Sequence, residues 1–352
     1  MTRVAITDVA ARGPYRAGTA PAEEPLASQR ARKMMSGAAY LAACALAELV
    51  GKLAPSAAER AELGYFLGVG GSAGALDDVT ALLDASFVDG AFSLPRFGDR
   101  GLAACNPLLA FQLMNNFTMC HGAILESLGG PNGALFSRGA GTIAALGEAH
   151  HAVRSGACAR AIAGGADVAT HPVTLAELAR DGHLGRGLVP ADGAALVALA
   201  ASTGRDDVVL DGCAHASGRG RALVEALNDA FARALRAATS SSADTRDAAP
   251  TWAREDLDSV GHIALSAWGP PAAEALRAYA AARFPFATLV DVSTRGETLA
   301  GGTAFALIAA VELLRSPSLE VVRSARPARA VVLSLGVDGD PGVILLSRGG
   351  AA

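Results

Sequence analysis

The chain has 352 residues, room for one large domain or two medium ones. It is 51% hydrophobic but only 5% aromatic, and its net charge of -4 comes from scattered rather than blocked charges, which argues against a nucleic-acid partner. No apolar run approaches the roughly 20 residues that span a bilayer. The start, MTRVAITDVA, is too briefly apolar for a signal peptide. Cys44, Cys105, Cys120, Cys158 and Cys213 are far apart and form no CxxC, so they read as buried thiols rather than a zinc site or disulfide frame. A cytoplasmic protein without metal or other cofactor is expected.

Strand-like runs alternate with alanine-rich helical windows, the pattern of an α/β protein. RVAITDVA (3–10) predicts a strand, and 27–53 a helix carrying Met34, Met35, Leu41, Ala45 and Leu49 at helical spacing. YFLGVGGSAG (65–74) predicts a strand running into glycines, and 107–128 a helix. GPNGALFSRGAGTIAALGEA (130–149) then predicts a buried strand, a sharp turn at Gly139 and Gly141, and a helix from Thr142. Strands follow at 159–169 and 193–202. After a break near residue 203 the same grammar restarts, with strands at 206–216, 259–267 and 287–294 and helices at 218–237, 271–283 and 300–315. Residues 328–348 predict a closing hairpin around a Gly/Asp/Pro turn, and TSSSADTRDAAP (239–250) has loop composition. Two similar halves, 1–202 and 203–352, imply a duplicated core rather than a short-period repeat.

A strand driven into a helix N-terminus is where many enzymes mount a nucleophile, because free amides and the helix dipole stabilise an anion there. Here the turn holds Arg138, Gly139 and Ala140, none of which can attack a carbonyl. Ser137 and Thr142 flank it with no His or Asp at a recognisable partner position. GVGGSAG (68–74) partly matches a dinucleotide loop but lacks a convincing acidic partner and reads as a structural turn. His150 and His151 are adjacent on a helix, so they do not share a face and make a poor metal pair.

Five segments occur in a telling order: GPNGALFSRGAG, RSGACARAIAGGADV, GLVPADGAALVAL, GETLAGGTAFALIAAVELL and SLGVDGDPGVILL. Together they resemble, over nearly the full length, the β-ketoacyl synthases of the thiolase superfamily. The resemblance implies a layered α/β fold with duplicated βα halves and two stacked five-stranded sheets. Laid on that pattern, the nucleophilic cysteine falls on Gly139 and the histidine of the GH motif on Glu297. The other catalytic histidine falls on Ile263, with His262 one residue out of register and facing away. The gating Phe becomes Val337, and the Asn of the same motif becomes Leu333.

Without a thiol at 139 no acyl-enzyme can form. An ionised Glu297 would accept hydrogen bonds and donate none. Loss of one such donor costs on the order of 10²–10³ in rate. The resemblance therefore points to the family's non-catalytic members, the chain-length factors. It implies a heterodimer with an active β-ketoacyl synthase, served by an acyl carrier protein. GALFSR would then pair antiparallel across a pseudo-twofold axis, placing Leu135, Phe136, Ser137 and Arg138 at the interface with Asn116 and Met119 beside them. Phe87 and Phe92 are candidate gates of the shared acyl tunnel, with ordinary core phenylalanines the competing reading. A divergent acyltransferase, hydrolase or decarboxylase using Glu297, His262 or Cys120 is the alternative, and a homodimeric acyl-binding protein a third. Arg138 and Glu297 are expected to form an ion pair in the vestigial pocket, with Arg295 as rival partner.

Overall fold

Alternation along the strands sets the architecture. In the computed structural model, which describes residues 2–16, 29–71, 74–204, 207–239, 252, 257, 259–316 and 328–348, ten strands form the main sheet structure. They are β1 (Val4–Arg16), β2 (Gly64–Val69), β3 (Asn132–Phe136), β4 (Arg160–Val168) and β5 (Ala191–Ala201) in the first half. The second half has β6 (Val208–His215), β7 (Val260–Ala267), β8 (Thr288–Asp291), β9 (Ala328–Leu335) and β10 (Pro341–Arg348). The principal helices are α1 (Gly37–Leu53), α2 (Leu76–Ser86), α3 (Phe117–Leu125) and α4 (Gly141–Ser155). They continue with α5 (Pro172–Arg180), α6 (Leu223–Thr239), α7 (Pro270–Arg283) and α8 (Gly302–Arg315).

The first five strands lie in the order β3-β2-β4-β5-β1 and the second five in the order β8-β7-β9-β10-β6. Directions match as well: the first two pairings of each set are parallel and the last two antiparallel. The two five-stranded sheets are not separate, however. β1 is long and bulged, and its start pairs with β6 at Ala5–Val209 and Ile6–Val208, joining the sheets into one ten-stranded array.

Side chains alternate faces along each strand, so one strand serves two cores. Ala330 and Val332 of β9 enter the central cluster, and Val331 and Leu333 enter the outer one beneath α6 and α7. The central cluster holds α4 and α8, which contact strands of both sheets. A third cluster packs α1 and α3 on the outer face of β2, β4 and β5. The layers thus run helix, sheet, helix, sheet, helix. Alanine is what lets the central layer close: Ala145, Ala149, Ala306 and Ala310 are fully buried, and small side chains bring helix and sheet backbones close.

Two predicted helices are broken. The one expected over 27–53 is split into a short piece, Gln29–Arg32, and α1, which begins at Gly37, where the Ser36 hydroxyl accepts from the Ala39 amide and caps it. Met34 and Met35 lie in the preceding turn, and residues 27 and 28 fall outside the described residues. The 107–128 helix is split by a turn at Asn115 and Asn116 into Leu109–Leu113 and α3. Most of the expected 239–250 loop also lies outside the described residues. Among the described residues, no helix is long and apolar enough to cross a membrane.

Candidate functional site

The turn between β3 and α4 is held by Ser137. Its hydroxyl accepts the amides of Ala140 (3.0 Å) and Gly139 (3.3 Å) and donates to Oδ2 of Asp338 (2.8 Å). Asp338 belongs to the turn between β9 and β10. Its carboxylate sits against Gly139: a Cβ on Gly139 would lie 2.1 Å from Oδ1, and its three nearest neighbours would all be atoms of that one side chain. The space a side chain at position 139 would fill is therefore occupied by a residue about 200 positions away. Gly336 closes the contact, since a Cβ there would meet the Gly139 Cα at 2.2 Å.

Across the site, Glu297 is carried by an extended loop tied to β5. Its amide donates to Val189 O (2.8 Å) and its carbonyl accepts from Ala191 N (2.9 Å). The side chain, 5% exposed, shares the space over Gly302 with Ser266 of β7: a Cβ on Gly302 would lie 2.9 Å from Ser266 Oγ and 3.0 Å from Glu297 Oε1. Burial pushes the Glu297 carboxyl up to about 8, and the negative charges of Asp167 and Asp338 add to this against the Leu299 amide. At neutral pH Glu297 is thus mostly protonated and can donate a hydrogen bond. Burial thus favours the neutral, donating form over the ionised, acceptor-only Glu297 expected from the sequence. Asp167 behaves alike: burial raises it to about 7, although Val168 N (2.8 Å) and Ala300 N (3.4 Å) donate to it.

Glu297 lines two cavities. A small one, about 10 Å³, is bounded by Ser266, Thr298, Gly302 and Phe305, and there the Thr298 Oγ1 is buried without a hydrogen-bond partner. A larger one, about 190 Å³, is walled by Val189, Trp268, Pro270 and Arg277. Trp268 is braced by the His183 ring edge-on at 4.8 Å and by the Arg186 guanidinium over its face at 4.8 Å.

Several expected placements change. Arg138 pairs with Glu177 of α5, and neither it nor Arg295 forms an ion pair with Glu297 among the described residues. The anticipated compensation fails because Arg138 is taken by Glu177, and burial favours the neutral form of Glu297, which needs no cation. Ile263 does not line the site; it is buried in the outer cluster beneath α7. The β7 residue that reaches Glu297 is Ser266, three positions on. His262 pairs across β7 with Thr288 and Ala330 and lines neither cavity, and burial lowers its pKa. Val337 is half-buried between Gly336 and Asp338 and packs on the outer cluster, in which Leu333 is buried. Burial raises the Cys120 thiol, and that of Cys213 to about 12, so neither is activated as a nucleophile. Burial likewise lowers His150 to about 4, and the described residues contain no group of three or more metal-ligating side chains.

At the sheet edge, β3 pairs only with β2 among the described residues, and Phe136 is 63% exposed. The strand is therefore half-open, not buried as predicted. Leu135 turns inward onto the central core, and Asn116 is exposed. Met119 is not a surface residue: it is buried between α1 and β2. Phe87 (42% exposed) and Phe92 (50%) face each other across a small hairpin, rings 6.1 Å apart and edge-on. They are not core residues. The GVGGSAG turn is structural, since a side chain at Gly70 would strike the buried Asp167 carboxylate, while Ser72 and Ala73 lie outside the described residues.

Asp338 and Ser266 were missed in sequence. The signal for Asp338 was present, as SLGVDGD places an acid where the family motif has glycine, but only the fold brings it to Gly139. Among solved structures, a β-ketoacyl synthase from Burkholderia phymatum is similar, with TM-score 0.71, 15% identity and coverage of 99% of this chain and 100% of that one. The ishigamide ketosynthase/chain length factor gives 0.67, 20%, 99% and 100%. A type II polyketide synthase acyl-carrier protein in complex with its ketosynthase bound to the hexaketide gives 0.68, 11%, 99% and 100%. At such identities the likeness establishes the thiolase-like ketosynthase fold. No curated protein matches the sequence. The family model for the β-ketoacyl synthase N-terminal domain matches residues 16–230, more than half of the chain, and with the fold and the ordered motifs it places the chain in the β-ketoacyl synthase family.

Proposed function

We propose that the chain is a non-condensing, ketosynthase-like subunit of the chain-length-factor kind. It pairs with an active β-ketoacyl synthase, is served by an acyl carrier protein, and helps shape the acyl tunnel in type II polyketide or fatty-acid-like biosynthesis. Its two halves, 1–202 and 203–352, are read as a duplicated unit.

The observation that carries this reading is the pairing of Gly139 with the Asp338 carboxylate, which removes the nucleophile and fills its place. The half-open strand β3 with Phe136 outward supports a partner at that edge, because an unpaired strand edge otherwise invites aggregation. Exposed apolar side chains between Leu76 and Met114, including Phe87, Phe92 and Phe111, are of the kind a partner and a shared tunnel would cover. Two structural neighbours carry a chain length factor and a carrier protein in their descriptions, in keeping with this reading. The test is to supply carrier-bound labelled acyl groups to the reconstituted pair and ask which subunit becomes covalently labelled.

One observation favours a second reading, a divergent acyltransferase, hydrolase or decarboxylase. Glu297 is a neutral acid lining a cavity beside Ser266. Thioester turnover by the chain without a partner, abolished by Glu297→Gln, would favour that reading.

A further inference from the structure

We infer that Asp338 is a resident stopper of the vacated nucleophile seat. Its carboxylate and the bare Gly139 act as one exchanged pair, in which a side chain at position 139 requires the carboxylate to move. This rests on reading Gly139 as the emptied nucleophile position.

Gly139 does not have a positive φ, so its backbone would accept a side chain. The three atoms nearest an ideal Cβ there all belong to Asp338, with Oδ1, Cγ and Oδ2 at 2.1, 2.7 and 2.8 Å. The carboxylate is oriented by the Ser137 hydroxyl, and its Oδ1 also accepts the Asp340 amide at 3.3 Å. It lies at the start of α4, where the helix dipole favours a negative group. Among the described residues no cation pairs with Asp338, so the turn and the helix end account for its position. Its outer side is exposed, so solvent and small reagents reach the seat. A single change at 139 must therefore dislodge the stopper, and even a successfully introduced thiol would have a carboxylate against it. That neighbour disfavours the thiolate, the reactive form.

The test uses Gly139→Ala, Gly139→Cys, Asp338→Gly and the two doubles, in the purified chain or in its complex. Melting temperature and the iodoacetamide reaction rate of the introduced thiol, mapped by peptide mass spectrometry, are read. Gly139→Ala should lower the melting temperature, and Asp338→Gly in the same chain should recover most of the loss. The thiol of Gly139→Cys should react at least about tenfold faster when Asp338 is also replaced by Gly. Additive effects on melting, or equal thiol rates in single and double variants, would overturn the inference. So would failure of both Gly139→Cys chains to fold while Asp338→Gly folds. Neither readout depends on condensation or chain length, so loss of seat coupling would leave the subunit role standing, and an acylated chain would refute that role alone.

Discussion

Glu297 is buried where a charge is expensive, and this gives the chain a pH dependence of definite sign. Its carboxyl ionises near 8 in the folded chain, against an ordinary value of 4.5. The unfolded chain therefore releases that proton first, and stability is lost as pH rises from about 4.5 to about 8. Glu297→Gln keeps shape and neutrality, so it should leave the melting temperature nearly unchanged at pH 4.5. At pH 8.5 it should raise stability on the order of a few kcal/mol. Thermal melts of both proteins across that range check this, and an equal offset at every pH would refute the buried neutral acid. At this scale the sequence was half legible. The glycine at 139 and the glutamate at 297 can be read directly, and their match to a Cys and a His rests on the resemblance. Protonation state and the Asp338 contact cannot, because both depend on which groups the fold brings together. The Arg138–Glu297 pairing failed for that reason: it assumed a charge that burial removes.

Most strands were legible to within a few residues, because alternating or continuous apolar runs have few other uses in a chain of this composition, but β1 runs six residues beyond its predicted end. Helix ends were less so. A serine cap at 36 and an Asn-Asn turn at 115–116 interrupt windows whose hydrophobic spacing runs on unbroken. Strand β3 was read as buried because its sequence is apolar, yet it is an edge. An apolar edge strand is what an interface strand looks like when its partner is absent. Phe136 is the side chain to change. Being 63% exposed, its replacement in Phe136→Asp should alter the stability of the chain by no more than about 0.5 kcal/mol. It should nevertheless prevent pairing with the ketosynthase, as seen by native mass spectrometry. A fully paired variant would move the interface elsewhere. Met119→Ala makes a contrast, since its side chain is buried between α1 and β2 and its loss should act on stability.

At the scale of the whole molecule, the two similar halves and the helices buried between their sheets were implied by the doubled βα grammar together with the family resemblance; the strand order was not. The joining of the sheets through β1 and β6 was not, because two residue pairs leave no pattern in sequence. Among the described residues, most exposed large apolar side chains fall between Leu76 and Met114, a stretch that holds Phe87 and Phe92. Both are about half exposed, so Ala at either should cost well under the roughly 3–5 kcal/mol of a buried Phe→Ala change. If they end the shared tunnel, those variants should lengthen products. Each extra two-carbon unit buried is worth roughly 1.5 kcal/mol, about tenfold in a competing distribution. Mass spectrometry of carrier-bound products reads this, and unchanged lengths would remove both residues from the tunnel.

The most direct test of the central claim is where the acyl group goes. Labelled acyl groups on a carrier protein, given to the reconstituted pair, should appear covalently on the partner ketosynthase alone. This chain should stay unlabelled while the pair makes product. Covalent label on this chain, or condensation by it without a partner, would contradict the account.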